Sequence, residues 1–137
     1  YLWTKFIWVF ADFQSVIRKE GDRDGMNDKG LVTYDRQIKK DAFYFYKANW
    51  NAEPMLHLCD SRFTERIYPI TSIKAYTNLE VATLYMNGQK IGKKKRDKYN
   101  RIIWNNVILQ PGKNIIKIEV KNGKKIISES CIWTLKL

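Results

Sequence analysis

From Asn114 to Lys121 the chain alternates with a period of two. Ile116, Ile118 and Val120 point one way, and Lys117, Glu119 and Lys121 point the other. Such a pattern suits a strand with one face buried and one in water, and it excludes a helix, whose period is 3.6. The run ends in Asn122-Gly123, which supplies the two positive-φ positions of a tight hairpin turn. The return strand, Ile127–Leu137, sets Ile127, Cys131, Trp133 and Leu135 on one face, with Glu129 breaking the pattern.

The same grammar governs everything after Pro54. Met55–Cys59, Ile73–Thr77, Val81–Met86 and Arg101–Leu109 read as short strands, and Val81–Met86 runs into a second turn at Asn87-Gly88. Short strands at roughly 8–12-residue spacing predict a β-sandwich. Lys93-Lys94-Lys95-Arg96 lies between two strand candidates and reads as a solvated hairpin tip.

Before Pro54 the pattern differs. Phe6, Ile7, Val9, Phe10 and Phe13, with Trp8 among them, form a near-continuous apolar run. A parallel strand covered on both faces looks like this. Residues 14–33 read as a long, charged loop containing Gly21, Gly25 and Gly30, and loops of this length are commonly functional. Residues 36–48 read as a helix capped by Asp35, with Ile38, Ala42, Phe45 and Tyr46 at helical spacing. Strand, loop and helix make one βα unit of an α/β barrel. The chain is thus expected to be mainly β, with a βα unit in residues 1–54 and a sandwich in residues 55–137.

Charge supports this division. Residues 1–54 carry nine Lys/Arg against eight Asp/Glu, and residues 55–137 carry sixteen against six. A basic half could attract nucleic acid, but it equally describes the solvated face of a β domain, and no aromatic residues interleave the lysines as a nucleic-acid surface requires. No nucleic-acid partner is expected. No apolar run approaches the ~20 residues of a membrane span. The two cysteines, Cys59 and Cys131, sit in apolar runs and are expected as free, buried thiols. With His57 as the only histidine and no Cys-x-x-Cys spacing, neither a metal site nor a cofactor is expected.

Trp8 lies within the apolar run and by position reads as a core tryptophan. Asn27 and Lys29 form an Asn-x-Lys pair, an amide donor and an ammonium able to converge on one anion; the alternative is an Asn-stabilised turn with a solvated lysine. Asp12 ends the strand candidate and reads as a carboxylate that is structural or supports a neighbouring site residue, not a catalytic one. Spacing does not select a catalytic pair among Glu20, Asp22, Asp24 and Asp28.

The strings Phe6–Phe13, Asn27-Asp28-Lys29-Gly30-Leu31-Val32-Thr33-Tyr34-Asp35-Arg36 and Lys39–Trp50 resemble the last strand, loop and helix of the catalytic barrel of glycoside hydrolase family 2. Arg62–Arg66 and Ile73–Gly92 resemble the immunoglobulin-like domain that follows that barrel in many bacterial members. The resemblance implies the C-terminal part of a retaining β-glycosidase, β-galactosidase first, with β-glucuronidase or a non-catalytic carbohydrate-binding sandwich as alternatives. It implies catalytic glutamates on earlier barrel strands, so no catalytic residue is assigned here. It also implies substrate contacts from Trp8, Asn27 and Lys29, with the Asn-x-Lys pair matching the one that binds the uronic acid carboxylate in β-glucuronidases. A β-galactoside or β-glucuronide is the expected partner, and a periplasmic or extracellular location is expected for the parent. Self-association through the Phe6–Phe13 run, or packing of residues 1–54 on residues 55–137, is expected of the chain by itself.

Overall fold

A computed structural model describes residues 4–17 and 20–136. By its internal contacts the chain forms two compact units, Tyr1–Tyr44 and Phe45–Leu137. No helix among the described residues is long and apolar enough to cross a membrane.

The first unit has little regular structure. Strands β1 (Phe13–Gln14) and β2 (Met26–Asn27) pair antiparallel, so part of the expected loop is a small hairpin. The predicted strand over 5–13 is not regular. Its one parallel bridge joins Ala11 to Val32, supported by the Leu31 and Val32 amides donating to the Val9 and Phe10 carbonyls at 3.1 and 3.0 Å. Phe6, Trp8 and Phe10 are exposed. The apolar run reads as a strand covered on both faces, and a parallel strand becomes regular only with neighbours to complete its ladders. Here Leu31–Val32 faces Val9–Ala11, and Asn27 pairs with Phe13.

Helix α1 spans Asp41–Trp50, starting later than the predicted 36–48. Asp35 does not cap it. Its Oδ1 accepts from the Gln37 amide at 3.0 Å and from the Thr33 hydroxyl, closing a tight local turn in which Arg36 takes a φ of 61°. The Lys40 amide is also committed, donating to the Leu31 carbonyl at 2.9 Å. Only from Asp41 is the backbone free to coil, with an acidic residue in the first turn where the helix dipole favours it.

The second unit is a β-sandwich. A three-stranded sheet has the order β3 (Leu56–Leu58), β5 (Ile70–Thr77), β8 (Arg101–Ile108). A five-stranded sheet comprises β4 (Glu65–Arg66), β6 (Val81–Met86), β7 (Gln89–Lys95), β9 (Gly112–Asn122) and β10 (Lys125–Leu135), in the order β4-β10-β9-β6-β7. The inward residues of both sheets make one core, which includes Leu58, Ile73, Leu84, Ile102, Ile116, Ile118, Val120 and Trp133. The alternation read in β9 is the burial observed. Glu129 interrupts the inward row of β10 for a reason: its Oε2 accepts the Leu58 amide at 2.7 Å, tying the edge strand of one sheet to the other. Cys59 and Cys131 are not joined in a disulfide; Cys59 is buried and Cys131 half-buried, not fully buried as expected, and that burial pushes its thiol up to about 11.

Two details depart from the sequence reading. Lys93–Lys95 are not a hairpin tip. They belong to β7, an edge strand paired to β6, and a lysine-rich edge discourages pairing with another chain. In the β9–β10 hairpin the pairing Asn122↔Lys125 leaves Gly123 and Lys124 as the loop, and the positive φ of 60° falls on Gly123 and not on Asn122. Glycine first in a two-residue loop fits a II′ turn. At Asn87-Gly88 both residues have positive φ, 51° and 81°, as a I′ turn demands.

The second half of α1 packs within this unit. Phe45 meets Tyr76 edge to face at 5.4 Å, and Asn100 Nδ2 donates to the Ala48 carbonyl at 2.7 Å. The segment after the helix is pinned by Asn78, whose side chain serves the carbonyls of Asn51 and Glu53 and the amide of Met55.

Candidate functional site

The first unit is held by a buried carboxylate. Asp12, 6% exposed, accepts the Gly30 amide at 2.8 Å and Lys40 Nζ at 2.6 Å through the same oxygen. Lys40 Nζ also donates to the Asp28 carbonyl at 2.8 Å. Gly30 has no alternative residue: a Cβ there would lie 2.1 Å from the Asp12 nitrogen. The Asn27–Leu31 loop is thereby drawn against Ala11–Asp12. Asp12 is a structural carboxylate, as the sequence suggested.

Asp12→Ala is expected to remove an acceptor of two hydrogen bonds, one of them from a charged donor. The loss should be about 1.5–3 kcal/mol of local stability, seen as roughly tenfold to over a hundredfold faster exchange of the Gly30 amide. An unchanged exchange rate would show that the loop is held elsewhere.

On this framework lies a cavity of about 250 Å³, lined by Trp8, Phe13, Ser15, Glu20, Asn27 and Lys29. All three binding candidates picked from sequence meet there. Trp8 is 75% exposed, so it is not a core residue; its ring is steadied edge to face by Phe13, 6.0 Å away. The Trp8–Val9 peptide bond is cis. Asn27, at the end of β2, is 2% exposed. Its Oδ1 accepts the Lys29 amide at 3.1 Å, which turns Nδ2 toward Glu20. Asn27 Nδ2 and Lys29 Nζ then meet on one oxygen, Glu20 Oε2, at 2.6 and 2.8 Å. The pair therefore has the geometry of a carboxylate clamp, with a rigid amide and a mobile ammonium aimed at one point.

Glu20 is the member that sequence reasoning missed. It was visible as one of several loop carboxylates, but separations of seven and nine residues from its partners carry no periodic signal. Only the hairpin and the Glu20–Asn27 bridge bring it to the clamp.

Comparison with known proteins adds a separate line of evidence. The chain is 46% identical over 130 residues to a β-glucuronidase of Bacteroides fragilis, a match covering 94% of the chain and 19% of that relative. Among solved structures, a Bacteroides fragilis protein described as a β-galactosidase superposes with a TM-score of 0.86 at 35% identity, over 93% of this chain and 19% of that one. An FMN-binding β-glucuronidase from Facaelibacterium prausnitzii L2-6 gives the same TM-score of 0.86 at 32% identity, over 98% and 20%. The homologues of this chain are β-glucuronidase- and β-galactosidase-like proteins.

The chain spans about a fifth of the length of that Bacteroides fragilis β-glucuronidase. A further match lies within the sandwich: residues 69–127 fit a family model described as a domain of unknown function, DUF4982. That interval runs from the residue before β5 to the third residue of β10, so it takes in both hairpin turns and strands β5 to β9.

Proposed function

We propose that this chain is the C-terminal part of a retaining β-glycosidase of the glycoside hydrolase family 2 type, and that the sugar its clamp receives is a β-glucuronide. The observation that carries the choice of sugar is the convergence of Asn27 Nδ2 and Lys29 Nζ on a single carboxylate oxygen. A uronic acid differs from its neutral counterpart by a carboxylate at C6, and a clamp that holds one carboxylate can hold another. The two glucuronidase relatives support the same choice.

In this reading Trp8 presents its ring face to the sugar C–H groups, while Asn27 and Lys29 receive the carboxylate and fix the ring's orientation. The acid/base and the nucleophile, a carboxyl pair about 5–5.5 Å apart in retaining enzymes, come from barrel strands outside the described residues. A galactoside-hydrolysing parent is the second reading, and the likeness to the Bacteroides fragilis protein described as a β-galactosidase favours it.

The two separate on one substitution. In the full-length parent, Lys29→Ala should lower kcat/KM for p-nitrophenyl β-glucuronide about tenfold to over a hundredfold, the equivalent of about 1.5–3 kcal/mol for a charge-assisted contact. Hydrolysis of p-nitrophenyl β-galactoside should change little. Small, equal losses on both substrates would favour the galactosidase and make Lys29 a structural residue.

A further inference from the structure

We propose that Glu20 is a specificity-determining residue: a counter-anion built into the chain that occupies the Asn27–Lys29 clamp and competes with the carboxylate of the sugar. The inference rests on the glucuronide reading above and concerns how selective that site is.

The geometry supports competition. Both donors point at the same oxygen, Glu20 Oε2, at 2.6 and 2.8 Å. One carboxylate from this chain thus sits where two converging donors would hold a ligand carboxylate. Glu20 and Lys29 form an ion pair, so the clamp carries no net charge toward an incoming anion. The side chains of Lys29 and Glu20 are 54% and 27% exposed, so both are reached by solvent. Asn27, by contrast, is 2% exposed and anchored through its Oδ1, so the fixed half of the clamp stays in place when Glu20 leaves.

Two unit negative charges about 4 Å apart repel by about 1 kcal/mol in water and more near a protein surface. A uronate carboxylate cannot share the clamp with ionised Glu20 without that cost. Glu20 must therefore swing away when a glucuronide binds, and its departure weakens binding relative to an empty clamp. A neutral sugar, which does not compete for the clamp, is unaffected. The consequence is a narrowed preference: Glu20 lowers the advantage that glucuronides would otherwise have over galactosides.

The test uses the full-length parent with p-nitrophenyl β-glucuronide and p-nitrophenyl β-galactoside. Glu20→Gln keeps the shape and removes the charge. It should lower KM for the glucuronide, relative to KM for the galactoside, by about fivefold, the factor that corresponds to about 1 kcal/mol. Glu20→Ala should lower that KM at least as far, which guards against a glutamine that stays hydrogen-bonded in the clamp; thermal melting of each variant checks that it is folded. A glucuronide KM that stays constant or rises in both folded variants, while Lys29→Ala still impairs glucuronide hydrolysis selectively, would overturn the inference and leave the glucuronide reading standing: Glu20 would then be holding the clamp in place. If Lys29→Ala shows no preference between the substrates, the glucuronide reading falls, and the role of Glu20 falls with it.

Discussion

The 137-residue chain, purified by itself, is expected to hydrolyse neither p-nitrophenyl β-glucuronide nor p-nitrophenyl β-galactoside above the solvent rate. Retaining glycosidases need two carboxyl groups about 5–5.5 Å apart, one protonated and one ionised. The cavity beside Trp8 is lined by one carboxylate, Glu20, and that group is held by Asn27 and Lys29. Asp12 is close in sequence to the cavity wall, but it is buried and held by Gly30 and Lys40 through one oxygen. Without the pair, the enzymatic gain of roughly 10⁶-fold or more is lost. Turnover by the isolated chain that disappears in Asp12→Asn or Glu20→Gln would put the chemistry inside these residues and overturn the assignment.

Trp133→Ala is expected to cost about 3–5 kcal/mol, a large part of the roughly 5–15 kcal/mol that holds a typical domain together. Trp133 is 1% exposed on the inner face of β10, and the Arg66 guanidinium lies over its ring at 3.7 Å. Truncation leaves a cavity between the sheets and strips Arg66 of its stacking partner. Ile132, the next residue, is 48% exposed on the outer face. Ile132→Ala should therefore cost much less, on the order of the ±0.5 kcal/mol usual for surface sites. Urea unfolding of the two variants reads the difference directly. Similar losses in both would mean that the strand's register is not the one described, because a one-residue slip exchanges its two faces.

How far the fold could be read in advance depends on how local its cause is. Val81–Met86 was delimited from sequence to the residue, and β9 and β10 to within a few residues at their ends, because alternation and an Asn-Gly turn act over adjacent positions. The strand β7 was missed since Lys93–Lys95 have no apolar face; its pairing with β6 comes from the I′ turn before it and not from burial. The helix start was misread because Asp35 has two uses for its carboxylate, and it closes the turn at Arg36 and Gln37 in preference to capping. Propensity does not discriminate between these when Lys40 is also held by a carbonyl nine residues earlier, in Leu31.

For the candidate site, Trp8, Asn27 and Lys29 are picked out through the resemblance of their strings to a known family, to which their residue chemistry is suited. The same sequence determined the sandwich, through period-two alternation and turn residues whose backbone preferences are intrinsic. What tertiary structure alone decided was proximity. It brought the three candidates around one cavity, turned Asp12 into the tie between Gly30 and Lys40, and set Glu20 against the clamp. Those contacts join residues separated by seven to twenty-eight positions in a unit with little regular structure, where no repeating geometry links sequence distance to spatial distance.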